Sequence, residues 1–138
     1  MIPVEARASG KHSAQFVLKP CRSLSEVLTD RGLASLGDSF VNFAYSLALS
    51  GRMRKPLGVK VKGTILARAL RKAGLREYLP SRMTTHALAD AAEAMLVYAW
   101  LQDLCTLEET VKIIGENEDP VKGLAQLLVT LKKRITFS

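Results

Sequence analysis

Between Ala87 and Leu101 the chain is apolar at every position except two, Asp90 and Glu93. An ionised carboxylate in such a segment is prohibitive in energy unless it is paired, hydrogen-bonded, protonated or bound to a metal. Residues three apart on a helix project from neighbouring points of one face, so the pair offers oxygen ligands to a hard divalent cation such as magnesium. Neutralisation of each acid by an arginine or lysine from an adjacent helix is the open alternative. Asp38 is a further acid, in Leu36-Gly37-Asp38-Ser39. There Gly37 weakens a helical pattern by about 1 kcal/mol relative to alanine and points to the close approach of another backbone. His86, four residues before Asp90 and on the same face, is within reach of its carboxylate. It reads as a surface or orienting histidine rather than a ligand, since nothing else builds a histidine site.

Basic residues are grouped near these acids in the sequence. Arg52, Arg54, Lys55, Lys60 and Lys62 crowd one loop, and Arg68, Arg71 and Lys72 follow on the next helical segment. With 20 Lys+Arg against 13 Asp+Glu the formal charge is +7, a field that concentrates polyanions. Nucleic acid and an anionic membrane surface are the partners this admits, and a solvated face serving solubility is the bland reading. No aromatic residue is interleaved, which favours backbone reading of a duplex over stacking on single strands.

The elements that must position these groups are helical. A chain of 138 residues with 48% hydrophobic content suits one domain with its own core. Cys21 and Cys105 form no CxxC pair and have no histidine at zinc spacing, so they read as reduced thiols. No signal-peptide pattern opens the chain, and no run of about 18 apolar residues is free of charge. A cytoplasmic location without membrane attachment is therefore expected. Residues 1–22 read as an extended arm around Phe16-Val17-Leu18, and 23–138 as the helical domain. Ser23 with Glu26 and Thr106 with Glu109 have the form of capping boxes, and Asp119-Pro120 reads as an N-cap and first turn. Helices are predicted over 23–29, 31–50, 62–73, 84–103, 106–114 and 120–134, with a short turn at 75–79. Strand-like alternation is nearly absent, giving an all-α fold. In the second helix Leu33, Leu36, Phe40, Phe43, Ala44 and Leu47 form a stripe expected to face the core, with Asp38 and Asn42 on the other side. The helix over 84–103, apolar all round, belongs in the middle of a bundle, with Met95, Tyr98 and Trp100 as core. The last helix, with Leu124, Leu127, Leu128 and Leu131, is expected to pack on the bundle or across a dimer seam, and Lys132-Lys133-Arg134 suit its dipole.

Three stretches in order resemble the ribonuclease III family. Leu33-Ala34-Ser35-Leu36-Gly37-Asp38-Ser39-Phe40-Val41 is similar to the family signature, an acid followed four places later by Gly-Asp-Ser or Gly-Asp-Ala. Lys62-Gly63-Thr64-Ile65-Leu66-Ala67-Arg68-Ala69-Leu70-Arg71-Lys72-Ala73-Gly74-Leu75 is similar to its middle helix, Tyr78-Leu79 to the segment after it, and Leu88-Ala89-Asp90-Ala91-Ala92-Glu93-Ala94-Met95 to its second acidic motif. The resemblance implies a homodimeric endoribonuclease that cleaves double-stranded RNA in RNA processing with Mg²⁺, or Mn²⁺, held by Asp38, Asp90 and Glu93. Those three acids would be catalytic, with Arg52, Arg54, Lys55, Lys60, Lys62, Arg68, Arg71 and Lys72 on the RNA. Two positions depart from the pattern: Ala34 stands where the family has its first acid, and Gly63 where it usually has asparagine. The compact mini ribonuclease III branch, which lacks a separate RNA-binding domain, shows a similar Leu-Ala-x-x-Gly-Asp pattern. The alternative is a lapsed domain that binds duplex RNA or a protein partner without cutting.

Overall fold

A helix starts cleanly where a side chain takes up one of its orphan N–H groups. The computed structural model, which describes residues 20–137, follows that rule at most of its helices. Ser23 accepts from the Glu26 amide ahead of α1 (Leu24–Leu28), and Asp30 from Leu33 ahead of α2 (Arg31–Met53). Helix α3 (Gly63–Lys72) starts without a side-chain cap, and a 3₁₀ turn follows at Arg76–Tyr78. Thr84 caps α4 (Thr85–Leu101), Thr106 caps α5 (Leu107–Gly115) and Asp119 caps α6 (Pro120–Arg134). The described residues contain no strand, in line with the all-α expectation. The arm expected over 1–22 lies, up to residue 19, outside the described residues.

Helix α4 is the centre of the bundle. Twelve of its seventeen residues are buried, and α1, α2, α3 and α6 all pack on it. Its many alanines, including Ala89, Ala91, Ala92, Ala94 and Ala99, let neighbours come close on every side. Met95 and Tyr98 are buried as expected, whereas Trp100 is only half-buried and packs on Phe40 with ring centroids 5.4 Å apart. The core is closed by Leu66 and Leu70 of α3 and by Leu124, Leu127, Leu128 and Leu131 of α6.

The apolar stripe expected on α2 needs correction. Leu33 and Ala44 are buried, but Leu36, Phe43 and Leu47 are 43%, 56% and 36% exposed. The helix carries two stripes at spacings of three and four. The inner one runs through Leu33, Gly37, Val41 and Ala44, all buried, and the outer one through Leu36, Phe40, Phe43 and Leu47. The inner stripe is made of smaller residues because α4 lies close against it. Helix α2 also runs three residues past the predicted end and stops at Arg54, which adopts the left-handed region with φ 57°.

Candidate active site

Asp38 from α2 and Asp90 and Glu93 from α4 line one recess of about 800 Å³, with Ala34, Lys60, Gly63 and His86 in the same wall. Gly37 brings Asp38 to that recess. A Cβ at this position would overlap the carbonyl oxygen of Glu93, so only glycine lets α2 lie so close to α4. The backbone approach expected from Gly37 is therefore with the acid-bearing turn of α4.

Glu93 is the buried member, 6% exposed. Burial, a hydrogen bond shared with Asp38, and the negative charges of Asp38 and Asp90 push its pKa up to about 8, while the Lys60 ammonium pulls it the other way. Burial and the neighbouring acids thus favour the neutral form of Glu93. Among the described residues no arginine or lysine forms an ion pair with Asp38, Asp90 or Glu93. Asp90 sits at the rim with 41% of its side chain exposed, and its Oδ2 is 3.6 Å from Nε2 of the exposed His86.

Facing the recess is a feature that the sequence reading did not anticipate. Residues 57–61 run as an extended strap along α2, held by a column of short polar side chains. Ser50 Oγ accepts from the Leu57 amide and donates to the Leu57 carbonyl. Ser46 does the same for Val59. Asn42 Oδ1 accepts from the Val61 amide at 2.7 Å, and its Nδ2 donates to Asp38 Oδ1 at 3.2 Å. The registers match because four residues of helix advance about 6 Å and two of extended chain about 6.6 Å. The signal was present in the sequence as Asn42, Ser46 and Ser50 at steps of four, polar residues of the kind that seek backbone partners. The strap carries Lys60 into the recess and buries Val61.

The other basic residues are dispersed. Arg52 donates through Nη2 to the carbonyls of Gly115 and Asn117 at the end of α5. Arg54 and Lys55 line a second groove with Phe43, Leu47 and Pro56. Lys62 precedes α3, and Arg68, Arg71 and Lys72 lie exposed along it. Of the eight, Lys60 is the one that lines the acidic recess.

The donor chemistry of the recess suits a divalent cation. Among the described residues no three acid, histidine or cysteine side chains are gathered into a ready shell. Mg²⁺ does not require one, since it commonly takes one or two carboxylates and fills its remaining positions with water and substrate phosphate. Asp38 and Glu93, with Asp90 at the rim, meet that need, and a cation would offset the desolvation and negative charge that raise the Glu93 pKa. Ala34, in the same wall, supplies no ligand.

A comparison with protein-family models matches the chain over residues 31–137 to the ribonuclease III model. That span holds every residue of the recess from Arg31 onward. A search of curated proteins found no match to this chain. Among the described residues no helix is long and apolar enough to cross a membrane.

Proposed function

This chain belongs to the ribonuclease III family of RNA-processing nucleases, and from that premise we propose that it is a divalent-cation-dependent endoribonuclease acting on double-stranded RNA. The observation that carries this reading is the convergence of Asp38, Asp90 and Glu93 on one recess, where burial and the neighbouring acids push the Glu93 pKa up. Asp38 and Glu93 would hold the cation, with Asp90 completing the acidic wall. A divalent ion bound there supplies water made nucleophilic near neutral pH and charge stabilisation for the leaving oxygen.

The chain's own side chains do the rest. Asp38 and Glu93 would hold the cation through their carboxylate oxygens, and Glu93, whose pKa burial and the neighbouring acids raise, would bind it in its ionised form. Lys60 brings its ammonium group to the same recess and orients a non-bridging phosphate oxygen. The exposed cations of α3, Arg68, Arg71 and Lys72, extend the positive field away from the recess along the duplex backbone.

A homodimer belongs to the same reading, supported by the outer stripe of α2. Leu36, Phe43 and Leu47 are exposed beside Phe40 at spacings of four, three and four, the pattern of a helix seam that meets a partner helix. Phe43→Glu is expected to weaken self-association more than about thirtyfold, read by analytical ultracentrifugation. A wild-type protein that is monomeric at all concentrations would contradict this part. For location, a cytoplasmic setting fits the free Cys21 and Cys105.

The function is tested with long duplex RNA, the same sequence as a single strand, and duplex DNA, each with Mg²⁺ or with chelator. Cleavage of duplex RNA alone, and only with the cation, is the expected outcome. Tight, salt-sensitive duplex binding without cleavage in Mg²⁺ or Mn²⁺ would instead favour the lapsed-domain reading that Ala34 keeps in play.

A further inference from the structure

Asn42 is half-buried on α2, one turn after Asp38, and its amide is committed at both ends. The Val61 N–H can only donate, so it faces the Asn42 carbonyl oxygen, and the amide nitrogen is thereby aimed at Asp38. The strap's other two anchors, Ser46 and Ser50, return both of their hydrogen bonds to the strap itself. Asn42 alone among the three passes one of its bonds to an acid of the recess.

We propose that Asn42 is a positioning residue for cation binding, which fixes the Asp38 carboxylate and ties its orientation to the strap that carries Lys60. This inference rests on the reading of Asp38 as a cation ligand. Partners that orient a ligating carboxylate typically contribute 10- to 100-fold in metal affinity. The coupling also sets where Lys60 stands relative to Asp38, because Val61 is the next residue along the chain.

The discriminating variant is Asn42→Ser. A serine at this place repeats the chemistry of Ser46 and Ser50: its hydroxyl accepts the Val61 amide and spends its one proton on the strap, so the strap is kept and Asp38 loses its donor. Ser46→Ala does the opposite, loosening the strap without touching Asp38. Wild type, Asn42→Ser, Ser46→Ala and Asp38→Asn are titrated with Mn²⁺ by calorimetry, with melting curves to establish folding and with kcat and KM measured on duplex RNA. Asn42→Ser is expected to bind Mn²⁺ at least about tenfold more weakly and to lose kcat with KM for RNA nearly unchanged. Ser46→Ala should stay within about threefold of wild type. Wild-type Mn²⁺ affinity in Asn42→Ser, or an equal loss in Ser46→Ala, overturns the inference. If wild type and Asp38→Asn bind Mn²⁺ alike, or neither binds it, the assignment of Asp38 itself fails and the inference falls with it.

Discussion

Asp38→Asn and Glu93→Gln are expected to cut duplex RNA about a thousandfold more slowly than wild type while being no less stable than it. The rate loss follows from removing a cation ligand whose charge stabilisation is worth about 4 kcal/mol in the transition state. The stability effect has the opposite sign because the recess is electrostatically crowded without a cation. Glu93 has a folded-state pKa of about 8 against an ordinary 4.5. The folded protein therefore holds a proton that the unfolded chain has already released between those two values, and stability falls as pH rises from about 4.5 to about 8. Above that range the full penalty applies, on the order of 3 kcal/mol after allowance for relaxation of the pocket. Glutamine cannot ionise, so Glu93→Gln escapes the penalty. Metal-free melting curves should show the variant level with wild type at pH 4 and clearly more stable at pH 9. A variant that loses activity and stability together would place Glu93 among ordinary structural residues.

Gly37→Ala is expected to destabilise the fold by about 3 kcal/mol, lowering Tm by roughly 10 °C. The added methyl group would meet the Glu93 carbonyl oxygen, and backbone cannot swing aside as a flexible side chain does. Relief requires α2 to move off α4, which also separates Asp38 from Glu93. Cleavage should therefore be lost even at temperatures where the variant remains folded. Gly63→Ala is the matched control. Its Cβ would sit 3.7 Å from the Ala89 methyl, an ordinary contact, so its stability should stay within about 1 kcal/mol of wild type. Equal melting of Gly37→Ala and wild type would mean that the helices do not touch at this point.

Much of this site was legible before the fold was known, for physical reasons that differ from residue to residue. Asp90 and Glu93 stood out because charge in an apolar helix demands compensation, and Gly37 because a helix interior tolerates glycine poorly without a steric cause. The caps at Ser23, Thr106 and Asp119 were readable because capping is local chemistry, but the glutamates expected to close the two capping boxes bond elsewhere, Glu26 to the Arg22 amide and Glu109 to Arg134. The orientation of α2 was misread because hydrophobicity ranks Leu36, Phe43 and Leu47 above Gly37, Val41 and Ala44, although the smaller set is the one that faces α4. Close packing selects for size there, and the larger residues are left for a face outside the bundle. The spacing of Asp90 and Glu93 likewise could not tell which acid is buried, since that depends on where α2 crosses. The strap over 57–61 has no periodic signature of its own. Its register is written in Asn42, Ser46 and Ser50 on another element, and only the fold brings the two together.

The most direct measurement is proton release on titrating the metal-free protein with Mn²⁺ near pH 7, followed by calorimetry in buffers of different ionisation heat. If Glu93 gives up its proton to take a cation, wild type releases about one proton per bound ion, and Glu93→Gln binds more weakly and releases none. Binding without proton release, or binding that neither Asp38→Asn nor Glu93→Gln weakens, would contradict the assignment of this recess as the catalytic cation site.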